Sequence, residues 1–90
     1  MSYVYKATET FWKCFYSLPD NQKTIVREKF RRFKESPFHT ELGTHKIAKL
    51  SADYKHTIYS VRIDDDLRII FRIDGNVVTT LTIGTHDIYK

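Results

Sequence analysis

Residues 57–89 read TIYSVRIDDDLRIIFRIDGNVVTTLTIGTHDIY, and the way this run alternates decides the fold. Tyr59, Val61 and Ile63 alternate with Ser60, Arg62 and Asp64. Leu67, Ile69, Phe71 and Ile73 then alternate with Arg68, Ile70, Arg72 and Asp74. Val77, Thr79, Leu81 and Ile83 alternate with Val78, Thr80 and Thr82. A period of two predicts strands with one packed face and one solvated face. Three antiparallel strands joined by two tight turns account for the run. The odd positions are packed and the even ones carry Arg62, Arg68 and Arg72.

Keeping odd opposite odd across the first turn centres the pairing on Asp65 and sets Arg62 opposite Arg68. The same rule centres the second turn, Asp74-Gly75-Asn76, on Gly75 and sets Ile73 opposite Val77. Both loops are then three residues long, with Gly or Asn supplying a positive φ in the second. Two arginines directly opposite one another repel. Such a face is read either as an anion site or as a solubilising face neutralised by Asp64, Asp65, Asp66 and Asp74. In either case Val61, Ile69, Phe71 and Leu81 are expected beneath the arginines in the core.

Upstream, Tyr3 to Ala7 is a β-prone run expected at a sheet edge, and Thr8 is a candidate N-cap. Phe11, Trp12, Phe15 and Leu18 recur at helical spacing, predicting a helix over 9–18 that Pro19 ends. A second helix is expected over 22–34, capped by Asp20 or Asn21, with Ile25, Val26, Phe30 and Phe33 inward. Arg27, Lys29, Arg31, Arg32 and Lys34 crowd its other faces, as a solvated surface or as a docking surface for an acidic partner. Ser36-Pro37 breaks that helix. A short strand is expected over 46–50. The order is β-α-α-β-β-β-β, with a helical hairpin over the apolar face of a twisted antiparallel sheet, an α+β fold.

The 90 residues are read as one domain, 1–90, with a single modest core. An apolar content of 41% argues against disorder. The net charge of +4 points to a polyanionic partner, nucleic acid or acidic protein. Residues 1–50 hold ten Lys/Arg against five Asp/Glu, whereas residues 51–90 hold five against six. The three sheet arginines therefore sit among aspartates and are not part of a diffuse basic surface. Cys14 is the one cysteine, so no internal disulfide forms, and it reads as a small core residue. No signal peptide or membrane-length run is expected, and the chain is read as cytoplasmic with no membrane association.

Gly-rich phosphate loops, paired cysteines and clustered histidine ligands are absent, so no metal and no cofactor are expected. His39, His45, His56 and His86 are scattered. The tail GTHDIYK is the exception. An extended continuation past Gly84 places His86 on the side of Arg68 and Arg72, with Tyr89 three residues on. Imidazole, phenol and guanidinium groups on one face suit phosphodiester chemistry. Arginine forks grip phosphate bidentately, and histidine moves a proton near neutral pH.

The stretch SVRIDDDLRIIFRIDGNVVTTLTIGTHDIY resembles the C-terminal sheet of the RelE/ParE toxins of type II toxin–antitoxin systems. The shared pattern is an Arg-bearing strand, a short turn, and a [Tyr/Leu]-Arg-[Ile/Val]-[Ile/Val]-[Phe/Tyr] strand. A strand ending Gly-x-[His/Arg] and a nearby Tyr complete it. The strand-helix-helix order ahead of it also fits, so the resemblance spans nearly the whole chain, with specific residues matching only in 58–89.

The resemblance implies a toxin held by a cognate antitoxin. In the RelE branch it implies a metal-independent mRNA endonuclease acting on the ribosome or free. There the neighbouring 2′-hydroxyl attacks the scissile phosphate and leaves a cyclic phosphate and a 5′-hydroxyl. On that basis Arg62, Arg68, His86 and Tyr89 are the implied catalytic set, and Arg72, Lys49 and Lys55 the implied RNA-binding set. Two departures stand out. The RelE type carries lysines where this chain has Ile58 and Ser60, and a carboxylate-base branch has a Glu that Glu41 matches only loosely, leaving the base open. They leave room for a ParE-type inhibitor of DNA gyrase without nuclease activity, or for a degenerate non-toxic member.

Overall fold

The structure is a computed structural model that describes residues 3–39, 42–47 and 57–85. Its elements are β1 (Val4–Ala7), α1 (Glu9–Ser17), α2 (Asp20–Glu35), β2 (His45–Lys46), β3 (Thr57–Arg62), β4 (Leu67–Asp74) and β5 (Val77–Thr85). They form one sheet in the order β1-β5-β4-β3-β2. β1 takes the expected edge position and runs parallel to β5, while every other pairing is antiparallel. No helix among the described residues is long and apolar enough to cross a membrane.

The helices form where their apolar positions recur. The Thr8 hydroxyl caps α1 by accepting from the Phe11 N–H at 3.1 Å. α2 begins two residues earlier than expected. Asp20 is its first residue and Pro19 its N-cap, with no side-chain cap bond. Pro fixes φ without needing a donor at a helix start, and Asp20 in the first turn still favours the helix dipole. Ser36 ends α2, its N–H reaching the Arg32 carbonyl. β2 starts at His45, one residue earlier than expected, and residues 48–50 lie outside the described residues.

The first hairpin has the expected register: Arg62 pairs with Arg68, Val61 with Ile69 and Tyr59 with Phe71. The second does not. Asp74 pairs with Val77 and Ile73 with Val78 across a two-residue loop, Gly75-Asn76, in which Gly75 has φ +62°. Two-residue loops match the twist of the strands they join better than open ones. The shift turns Val78 and Thr80, not Val77 and Thr79, towards the hairpin. A bulge then leaves Leu81 unpaired between Thr80, opposite Phe71, and Thr82, opposite Ile70. One extra residue restores odd-to-odd pairing, but two residues out of the expected register: Ile83 meets Ile69, where a turn centred on Gly75 would have set Leu81.

The main core joins Phe11 and Phe15 of α1 and Val26 and Phe33 of α2 to Val61, Ile69, Phe71, Val78 and Ile83. Leu81 is not among them. It packs with Ile47, Ile58 and Ile70 in a second, smaller cluster. The arginine-bearing face is therefore not wet throughout, because Ile58, Ile70 and Ser60 are all buried there.

Thr8 locks the parts together. Its N–H reaches the Thr80 carbonyl, and its hydroxyl donates to the Leu81 carbonyl at 2.7 Å while capping α1. Buried Thr80 donates in turn to the Lys6 carbonyl. Tyr5 donates from its hydroxyl to the Phe33 carbonyl at 2.8 Å, satisfying an orphan acceptor in the last turn of α2. Burial, and secondarily Tyr3 beside it, raises the Tyr5 phenol above its ordinary 10.0. The folded chain therefore holds this proton more tightly than the unfolded chain. The resulting stability is complete below pH 10 and fades as pH rises through the folded value. Tyr5→Phe should cost about 0.5–1.5 kcal/mol at pH 7. It should also flatten the decline above pH 10, as read by urea unfolding across pH 7–11.

Candidate phosphate-binding face of the sheet

β3 and β4 place Arg62, Ser60 and Ile58 beside Arg68, Ile70 and Arg72. Because Val61, Ile69 and Phe71 point into the helical core, these six share the opposite face. Burial of the odd positions thus brings Arg62 and Arg68 into direct opposition. Glycines flank the pair. Gly84 pairs with Arg68 on β5, and on the β2 side a Cβ on Gly43 would lie 3.7 Å from the Arg62 Cβ. Gly43 has φ +56°, where a side chain would be strained.

The turn handles the repulsion. Asp64 Oδ1 accepts from the N–H groups of Asp66 and Leu67, building the loop. Arg62 Nη2 bonds Asp65 Oδ1 at 2.6 Å, with both side chains largely exposed. Arg68 Nη1 donates to the carbonyls of Asp64 at 2.7 Å and Leu67 at 3.1 Å. Arg68 is thereby fixed by one nitrogen and tipped towards the turn. Among the described residues its Nε and Nη2 have no partner, leaving the side-on edge of the fork for a tetrahedral oxyanion.

Further along β4, Arg72 is half-buried. Ser60 Oγ and Arg72 Nε are the buried side-chain polar atoms without a hydrogen-bond partner among the described residues. Sequence reasoning passed over Ser60, since a serine at an even strand position reads as solvated. Its one signal was the pair of isoleucines, 58 and 70, that bury it. Of the other expected site residues, Lys49, Lys55, His86 and Tyr89 lie outside the described residues, as does Glu41. His45 is exposed, with Nδ1 3.3 Å from the Gly43 carbonyl. Among the described residues no three His, Cys, Asp or Glu side chains are grouped to hold a metal ion.

The hairpin carries a second feature. Phe11, Trp12, Phe15, Tyr16, Val26 and Phe30 line a groove of about 420 Å³ between α1 and α2, rimmed by Arg27, Arg31 and Lys34. Trp12 and Tyr16 stack there and stay 44% and 66% exposed. Arg27 lies over the Phe15 ring and Lys34 over Phe30. The expected helix-surface charges thus border an apolar groove.

Since Arg62 is tied to an exposed carboxylate, Asp65→Asn should free it and remove a competing negative charge. Pyrophosphate affinity should rise about two- to five-fold, the scale of an exposed ion pair. Titration at low and high salt checks this, and an unchanged affinity at both would mean the pair does not restrain Arg62.

No protein-family model matches the sequence, and no curated protein matches it by sequence. Solved structures do match. An archaeal RelE–RelB complex from Pyrococcus horikoshii superposes with TM-score 0.74 at 18% identity, covering 98% of this chain and 99% of that one. A RelB–RelE antitoxin–toxin complex from Methanococcus jannaschii gives 0.70 at 16% identity, covering 91% of each chain. A YoeB/ParE toxin from Agrobacterium tumefaciens gives 0.67 at 18%, covering 92% of this chain and 98% of that one. The strand, helical hairpin and sheet of this chain share the α+β fold of these RelE and YoeB/ParE structures.

Proposed function

We propose that the chain is the toxin of a type II toxin–antitoxin pair and acts as an endoribonuclease on mRNA, free or on the ribosome. The observation that carries this is Arg68, anchored through Nη1, its side-on fork without a partner among the described residues, directly opposite Arg62. Two guanidiniums so placed suit a phosphate whose negative charge grows as it becomes five-coordinate. Preorganised donors aimed at developing charge supply much of the rate of such reactions. The 2′-hydroxyl loses its proton to solvent as its oxygen bonds to phosphorus, the bond to the 5′-oxygen breaks, and that oxygen receives a proton, so no net proton is consumed. His86 is the proposed proton donor and Tyr89 its orienting group, with Arg72, Lys49 and Lys55 adding RNA contacts.

The proposed partner is an antitoxin with an acidic amphipathic segment. RelE structures similar to this one were solved as complexes with RelB. The basic-rimmed aromatic groove on the hairpin suits such a segment, with rings for its apolar side and cations for its acidic side. Exposed charges mainly steer encounter. Neutralising Arg27, Arg31 and Lys34 together should slow antitoxin association, most at low salt. An unchanged, salt-insensitive rate in stopped-flow mixing would count against this.

Activity is tested by inducing wild type and variants and mapping RNA ends. Arg68→Ala should lower cleavage about 10²–10³-fold, and Arg68→Lys should recover only part, since an ammonium cannot reproduce the two-pronged contact. His86→Ala should cost about 10²–10⁴-fold, with His86→Gln no better. EDTA should leave cleavage intact. Wild-type rates for His86→Gln would remove histidine as the donor. Growth arrest without RNA ends, accompanied by a DNA-damage response, would replace the nuclease reading with inhibition of DNA gyrase.

A further inference from the structure

We infer that Arg72 and Ser60 form a second phosphate subsite, which takes a backbone phosphate of the RNA other than the one held at Arg62 and Arg68. This rests on the nuclease reading for its ligand but on separate residues for its site. Arg68 and Arg72 share a face four residues apart on β4, about 14 Å at the rise of an antiparallel strand. Arg68 is tied to the Asp64 and Leu67 carbonyls at the turn, so its fork points away from Arg72. The two forks do not converge on one phosphate.

The pairing register places Ser60 opposite Ile70, between the Arg62–Arg68 and Ile58–Arg72 pairs. Ser60 is therefore diagonal to Arg72, a relation of about 7–8 Å that a long side chain spans. The Ser60 hydroxyl is fully buried and, among the described residues, has no hydrogen-bond partner, and the same holds for the buried Arg72 Nε. A buried donor or acceptor without a partner costs about 1–3 kcal/mol. Two such atoms, complementary in kind, on one face and within reach of each other, form a hydrogen bond waiting for a rotamer change. With Nε donating to Ser60 Oγ, the guanidinium end of Arg72 stays free to grip an oxyanion end-on. The apolar floor of Ile58, Ile70 and Leu81 strengthens that contact by excluding water. Arg72 is thus a substrate-affinity residue, and Ser60 a positioning residue acting through it.

The test uses a hexanucleotide RNA made non-cleavable by 2′-O-methylation, with a neutral methylphosphonate placed at each linkage in turn. Two linkages should weaken wild-type binding about tenfold or more. At one of them Arg72→Gln should bind the neutral and charged oligonucleotides equally, while Arg68→Ala should do so at the other. Arg72→Gln should also reduce the slope of log affinity against log salt by about 0.7, the value for one single-strand phosphate. With cleavable RNA it should raise KM and leave kcat within about twofold. Ser60→Ala should reproduce part of that KM effect, and Ser60→Thr, which keeps the hydroxyl, should restore it. Coupling of Arg68 and Arg72 to the same linkage, or of Arg72 to none, overturns the subsite. Coupling at a second linkage in a protein that fails to cleave RNA upholds the subsite and removes the nuclease reading. A wild type that binds no oligonucleotide removes both.

Discussion

The structure depends on one constraint, the burial of Val61, Ile69 and Phe71 under the helical hairpin. In a strand the side-chain period is two, so slipping the register by one residue would expose all three. Their burial fixes β3 against β4 and leaves Arg62 opposite Arg68, although like charges opposite each other oppose pairing. The apolar term wins because each buried side chain contributes roughly 1.5–3 kcal/mol, whereas the repulsion acts at a solvated edge. The three-aspartate turn reduces it further: a carboxylate takes Arg62 and backbone carbonyls take Arg68.

Those same contacts define how an oxyanion would enter. Arg62 would have to exchange the exposed Asp65 carboxylate for phosphate, a swap of similar partners in water. Arg68 would exchange nothing, since its anchoring nitrogen is distinct from its open edge. The arrangement combines one preset donor with one recruited donor. The flanking glycines, Gly43 and Gly84, keep side chains away from both.

Where local period and loop chemistry agreed, the fold was legible in the sequence. Thr8 as a cap, both helices, the edge strand and the first hairpin register follow from spacing and turn residues. The second hairpin was not legible, because strict alternation hides a bulge. Val77 and Val78 are equally apolar, and nothing local says which one faces inward. The choice belongs to a two-residue loop at one end and to Ile83 meeting Ile69 at the other, and Leu81 absorbs the difference. The candidate site follows the same division. Arg62, Arg68 and Arg72 were legible as a set because they alternate. Ser60 was not, because an even strand position reads as solvated and its burial shows only once pairing sets Ile70 opposite it on a face shared with Ile58.

The bulge also ties the two ends of the chain together. Leaving Leu81 unpaired frees its carbonyl, and the Thr8 hydroxyl takes it while capping α1. A side chain at the end of β1 thus stabilises both the helix that roofs the core and the irregularity that returns Ile83 to it. N-caps of this kind contribute about 0.5–2 kcal/mol, and here the same hydroxyl also satisfies a strand carbonyl. The sheet face then has two unlike halves. One is a polar end at the turn, with arginines held by aspartates. The other is an apolar floor of Ile58, Ile70 and Leu81, where Arg72 Nε and Ser60 Oγ have no partner among the described residues. On the proposed reading this asymmetry separates chemistry from grip. Charge development is met at the turn end, where Arg68 is held in place in advance and Arg62 is recruited, whereas holding the rest of the strand uses a dry surface on which a single guanidinium contact is strong.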